Sequence, residues 1–301
     1  MKFSLKKMLK CFKILLRTST IPKKDWILVF ITIFLTLGRY PDIILKKNWT
    51  GTKKHFLSDF LPHPVTIKDS SGLLFMARPK FEDLARFLFS ETLAKWEPRS
   101  MIKLDDSEVM IDVGANTGFY TLYLAKKYRN SKILSIEADP ETSSLLDRNC
   151  KLNDLANVTI YNLAASDKEG ELTLYQSGSH SGIHSIFQPK SNSPDLTSVK
   201  VKSTTLDNLL DGKFDKIAWI KIDVEGAELS VLRGCEKTLN IVKKIFVEVH
   251  EHILKQNNET SHQIVQLLEN SGFKITLFPE YWNQTTSPNQ DLKSDYILAE
   301  K

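Results

Sequence analysis

From residue 109 to the carboxyl terminus the chain repeats one pattern: a short apolar run, a turn, then a stretch with helical periodicity. The runs are VMIDVGA (109–115), KILSIEA (132–138), VTIYNLA (158–164), IAWIKIDV (217–224), KIFVEVH (244–250), KITLF (274–278) and DYILAE (295–300). A strand that is apolar on both faces must be covered on both faces, and strands alternating with helices join by right-handed crossovers into a parallel sheet. The pattern therefore predicts an α/β domain with a mostly parallel, seven-stranded sheet and helices on both sides. Between the last two runs, residues 279–294 are too polar and too rich in Pro and Asn for a crossover helix, so these two strands are expected to pair antiparallel.

At 301 residues the chain can hold one such domain and something smaller. We divide it into a leader (1–45), an accessory region (46–105) and the α/β domain (106–301). In the accessory region, VTIKD and LLFMAR flank Ser70-Ser71-Gly72 and predict a hairpin over 64–78, and Asp83 to Trp96 has the spacing of an amphipathic helix.

Net charge is +5, but residues 1–24 hold eight Lys or Arg and no acid, so the rest of the chain is slightly acidic. That distribution gives the α/β domain no nucleic-acid footprint and directs the basic segment toward an anionic surface. Lys2, Lys6, Lys10, Lys13 and Arg17 lie on one side of a helical wheel, opposite Leu5, Met8, Leu9, Phe12, Leu15 and Leu16. The apolar run Trp26 to Leu37 is shorter than the roughly 20 residues that span a bilayer. An interfacial anchor, a helix packed on the protein or a partner, and an uncleaved signal or short span all fit the leader. We expect a cytoplasmic protein, peripheral on the membrane. Cys11, Cys150 and Cys235 are far apart and form no CxxC pair, which argues against a disulfide framework or a cysteine-bound metal.

The first strand of the α/β domain runs into Asp112-Val113-Gly114-Ala115-Asn116-Thr117-Gly118, and a helix follows at once. Gly114 lets the backbone turn sharply and lets a ligand come close. The second strand ends in Glu137, where a carboxylate can accept hydrogen bonds from two ribose hydroxyls. Together they point to a cofactor containing adenosine. The spacing is not the G-x-G-x-x-G that cradles a pyrophosphate, which disfavours NAD. S-adenosyl-L-methionine carries a cationic amino-acid tail instead, for which Asp112 is a suitable partner.

A second constellation is Lys221-Ile222-Asp223-Val224-Glu225-Gly226, where alternation puts Lys221, Asp223 and Glu225 on one side of a strand. Glu248, His250 and His252 share a side at the end of the next strand. Ionisable groups in a buried strand are costly unless paired, so their presence signals a site or an ion-pair network. Residues 165–216 carry strand-like ELTLYQ and SVKVKST around a Ser-, Gly- and Pro-containing loop (177–196), expected to act as a mobile flap over the carboxyl ends of the strands. His184 in that loop is a candidate substrate contact.

With DVGANTGFYTL (112–122), SIEADP (135–140), LAASDKEGELTLY (163–175), TLDNLL (205–210), WIKIDVEGAELSVLRG (219–234) and FVEVHEH (246–252), the chain resembles the FkbM family of methyltransferases over roughly residues 75–280. The resemblance implies a Rossmann-like class I fold, S-adenosyl-L-methionine as methyl donor, and transfer to a hydroxyl, often on a sugar, glycan or secondary metabolite. It further implies that Asp112, Gly114, Asn116 and Gly118 bind the methionine side, Glu137 the ribose and Ala165 the adenine wall, with Asp223 beside them. On that footing His250 is the first candidate for a general base, oriented by Glu248 or Asp223, and Asp223 is the second. Lys221 would neutralise the carboxylates around it, while Glu225, Glu248 and His184 would meet the acceptor. His250, His252, Asp223 and Glu225 could also hold a divalent ion, although the same residue types recur in networks that hold no metal, and no metal is assigned. Two other functions compete: a membrane-tethered scaffold without activity and an NAD-dependent sugar oxidoreductase.

Overall fold

The computed structural model describes residues 65–68, 71–77, 101–177, 184–188, 196–279 and 294–301. The leader, the expected helix at 83–96 and most of the 177–196 loop lie outside the described residues. Among the described residues no helix is long and apolar enough to cross a membrane.

The chain divides into two compact units. Of the first, the described part is the expected hairpin, β1 (Val65–Lys68) paired antiparallel with β2 (Leu74–Ala77).

The second unit starts at Ile102. Its first strand, β3 (Val109–Val113), is buried along its whole length and leads into α1 (Phe119–Lys127). Next come β4 (Lys132–Ile136) and α2 (Pro140–Leu152). The start of α2 is set by Asp139, whose carboxylate accepts the Thr142 N–H at 2.7 Å, and by Pro140 in the first helical position. β5 (Val158–Tyr161) follows, then the short β6 (Ala164–Ala165), β7 (Gly170–Ser177), β8 (His184–Ser185) and β9 (Leu196–Thr204). Thr205 caps α3 (Leu206–Leu210), after which β10 (Ile217–Ile222) runs buried on both faces. The rest comprises α4 (Glu228–Arg233), α5 (Thr238–Ile241), β11 (Val242–Glu248), α6 (Glu251–Gln256), α7 (Ser261–Asn270), β12 (Lys274–Pro279) and β13 (Ser294–Glu300).

Seven strands form the main sheet in the order β12-β13-β11-β10-β3-β4-β5. All neighbours are parallel except β13, which is antiparallel to β12, as expected, and also to β11. The fold is the Rossmann-like α/β class, doubly wound around the β3–β10 pair. Successive strands move outward in opposite directions from that pair, opening a crevice at its carboxyl end, where such sheets bind ligands. Strands β6, β9, β7 and β8 form a separate four-stranded sheet in place of a crossover helix.

Candidate active site

On the β4 side of the crevice, β3 turns at Gly114, whose φ is +74°, and the N–H groups of Gly114 and Ala115 both donate to the Ile136 carbonyl at 3.0 Å. A Cβ at Gly114 would stand 1.8 Å from the carbonyl oxygen of Asp223. The close approach expected at this glycine is therefore made by the chain leaving β10. Gly118, at φ +100°, lets α1 settle against Leu146 of α2, since a Cβ there would meet that side chain at 2.6 Å. Asn116 also has positive φ, which Asn tolerates better than most residues. Its N–H donates to Glu137 Oε2 at 2.8 Å, and its Oδ1 accepts the Thr117 N–H.

Glu137 is buried at the end of β4, and its other oxygen accepts the Asp139 N–H at 2.9 Å. Burial pushes its carboxyl up to about 7, against the lowering effect of the two N–H groups. Beside it, Asp139 is held below its ordinary range despite burial, because Thr142 and the neighbouring His184 and Gln176 favour its charged form. His184 lies 4.0 Å from Asp139, which places it with the Glu137 turn and not with the acidic cluster around His250. Ala165 is buried in β6.

Asp112 and Lys221 lie side by side in the β3–β10 register. Asp112 is 0% exposed; its Oδ2 accepts the Thr121 hydroxyl at 2.7 Å and its Oδ1 is 3.2 Å from Lys221 Nζ. In these surroundings the Asp112 carboxylate is turned onto α1 and β10. Lys221 is equally buried, donates to the Gly114 carbonyl at 3.0 Å, approaches Asp223 at 3.4 Å and lies 4.9 Å from the centre of the Tyr120 ring. Burial disfavours its charge, yet Asp112, Asp223 and Glu248 together hold its pKa above the ordinary lysine range. Lys221 is the cation around which the strand ends are organised.

On the β11 side, Asp223, Glu225 and His250 converge, with one ligand atom from each lying within 4.8 Å of the others. Alternation alone does not place Glu225: β10 ends at Ile222, and positive φ at Glu225 and Gly226 turns the chain so that Glu225 Oε2 comes 3.2 Å from His250 Nε2. His250 Nδ1 is 2.7 Å from Oε1 of Glu228, a residue with no exposure. Burial works against an imidazolium, but Glu228 and Glu225 raise the His250 pKa to about 10. Both ring nitrogens of His250 face carboxylates, Glu228 on Nδ1 and Glu225 on Nε2, and these surroundings favour a proton on the ring, which argues against His250 as the general base. The group that orients it is Glu228, not Glu248 or Asp223. Glu248 is pushed up to about 8, first by burial and then by Asp223, while His250 and Lys221 pull it down. His252 belongs to the exposed side of α6 and contributes no atom to the cluster.

Beyond the expected residues the structure adds Glu228, Thr121, Tyr120 and Ser185. Glu228 lies in the GAE segment after β10, where an acid in the first turn of a helix reads as ordinary dipole complementation. Ser185 of β8 donates its hydroxyl to the Glu225 carbonyl at 2.9 Å, so the described part of the 177–196 segment meets the carboxyl end of β10. No sequence pattern marks that serine among its neighbours.

A buried acid beside a glycine turn, at the switch point of a doubly wound sheet, is the arrangement with which α/β proteins of this class bind nucleoside-containing ligands. Residues 112–275 match the methyltransferase FkbM domain, and the chain belongs to that family. It is similar to methyltransferase sdnD of Sordaria araneosa, 29% identical over 74% of this chain and 96% of that protein. It is also similar to the hexuronic acid methyltransferase AglP of Haloferax volcanii, 29% identical over 57% and 71% of the two chains, and to the 2-O-methyltransferase NoeI of Sinorhizobium fredii, 23% identical over 65% and 86%. The cofactor is S-adenosyl-L-methionine. The residues present fit it: each Glu137 oxygen holds one backbone N–H and keeps acceptor capacity for a ribose hydroxyl.

Proposed function

We propose that this methyltransferase methylates a hydroxyl group on a sugar, glycan or related metabolite. The observation that carries this reading is the convergence of Asp223, Glu225, Glu248 and His250 at the carboxyl ends of β10 and β11, across the crevice from Glu137. S-adenosyl-L-methionine, when bound, supplies an electrophilic methyl group on a sulfonium. A hydroxyl that attacks it must give up a proton, and carboxylates beside the crevice can accept that proton and can hydrogen-bond the other hydroxyls of a saccharide. Lys221 offsets the negative charge of Asp112 and Asp223, and Glu137 with the Asn116 turn holds the donor. The names of two relatives, a hexuronic acid methyltransferase and a 2-O-methyltransferase, support a saccharide acceptor.

The test is transfer of labelled methyl from S-adenosyl-L-methionine to a panel of mono- and oligosaccharides, followed by mild alkali. We expect an alkali-stable methyl ether. Label found only on nitrogen, or only as an alkali-labile carboxyl ester, refutes the hydroxyl reading while leaving the methyltransferase assignment in place.

A further inference from the structure

We propose that Asp223, Glu225 and His250 form a binding site for one divalent cation of the Mn2+ type at the carboxyl ends of β10 and β11. Two carboxylates and one imidazole offer ligand atoms within 4.8 Å of one another, close enough to share an ion. Oxygen-rich sites suit Mg2+ and Mn2+, and an imidazole ligand shifts the preference toward Mn2+.

The imidazole is presented as a ligand would be. Its Nδ1 is taken by Glu228 at 2.7 Å, which leaves Nε2 directed at Glu225. Metal-binding histidines are ordinarily fixed in this way, by a carboxylate on the far ring nitrogen.

Charge gives an independent reason. With Nε2 of His250 free to ligate an ion, Lys221 is the cation at this place among the described residues, against the carboxylates of Asp112, Asp223, Glu225 and Glu228. Asp112 and Glu228 are buried and Asp223 and Glu225 part-buried, and negative charge in that excess is costly in such surroundings unless a further cation answers it. Glu228 adds a second observation. Its side chain is wholly buried and turned to His250, yet Oε2 has no hydrogen-bond partner.

For the reaction, and resting on the hydroxyl reading above, the cation would take the acceptor oxygen as a further ligand and lower its pKa. The methyl carbon bonds that oxygen as its bond to sulfur breaks. The hydroxyl proton leaves to water at the mouth of the crevice.

The experiment uses the full chain, stripped with a chelator and saturated with S-adenosylhomocysteine, and titrates Mn2+ alone by electron paramagnetic resonance and calorimetry. One Mn2+ per chain is expected. Glu225→Gln should abolish binding, and Glu228→Gln, which keeps all three ligands, should weaken it by roughly 10- to 100-fold, the effect of losing a carboxylate behind a ligating histidine. Affinity for S-adenosylhomocysteine, measured on each variant, reports that it is folded. Absence of Mn2+ binding by the folded wild type, or equal binding by wild type and Glu225→Gln, overturns the site. Mn2+ binding as described with no methyl ether formed on any hydroxyl would leave the site standing and refute the hydroxyl reading instead.

Discussion

On the β3–β4 side of the crevice the buried acid Glu137 is held by two backbone N–H groups, with Asp139 beside it capping α2. On the β10–β11 side Asp223, Glu225, Glu228 and Glu248 crowd together and are answered chiefly by the side chains of Lys221 and His250, with one backbone N–H, that of Gly226, on Glu228. Backbone donors are part of the main chain's own path and cost no further side-chain ordering. Side-chain counter-charges depend on several long residues being in place together. The first arrangement suits a half-site that must recognise one invariant cofactor. The second concentrates charge and perturbed proton affinities, as a site does where protons move or ions bind.

If the two sides differ in this way, they should break differently. The largest effect is expected at their junction. Lys221→Met removes the ammonium that Asp112 and Asp223 share and leaves Asp112 charged and fully buried, which should cost about 3–5 kcal/mol of folding stability by urea unfolding. A loss under about 1 kcal/mol would show that Asp112 is compensated by Thr121 alone.

Glu137→Ala should act on the cofactor side, weakening S-adenosylhomocysteine binding by about 1.5–3 kcal/mol in calorimetry. The same residue sets a pH dependence. Its carboxyl titrates near 7 folded against an ordinary 4.5, so the folded state binds that proton more tightly; its stabilising effect is full below 4.5 and is lost as pH rises through about 7. Glu137→Gln should therefore flatten the fall in stability between about pH 5 and pH 8. An unchanged slope would mean that Glu137 is solvated in the native protein.

The smallest effect is expected at the contact between the two sheets. Ser185→Ala removes one hydrogen bond to the Glu225 carbonyl and should cost about 1 kcal/mol, seen as faster amide exchange in β7 and β9 with little change in global unfolding. Unaltered exchange would show that Ser185 does not hold this ribbon at the β10 end.

Much of the architecture was legible in the sequence. Each of the seven apolar runs became a strand of the main sheet, and the polar link before β13 correctly announced an antiparallel pair. The ribbon sheet was half legible: ELTLYQ and SVKVKST read as strands, but their union with β6 and β8 depends on long-range pairing. In the site, the motifs put Asp112, Glu137, Lys221, Asp223, Glu225, Glu248 and His250 on the right strand ends. Their roles were harder to read. Asp112 and Gly114 carry ligand-like signatures, but that Asp112 meets Thr121 and Lys221 and Gly114 packs on Asp223 could not be read from them, nor could the pairing of His250 with Glu228.

The sequence by itself determined the elements, the crevice and the family, because periodicity and turn chemistry are local properties that each segment carries with it. The tertiary structure alone decided which acid answers which cation. Proton affinity depends on distances of a few ångströms between residues far apart in the chain, such as His250 from Glu225 and Glu228, or Lys221 from Asp112, and on how much water the packing excludes from between them.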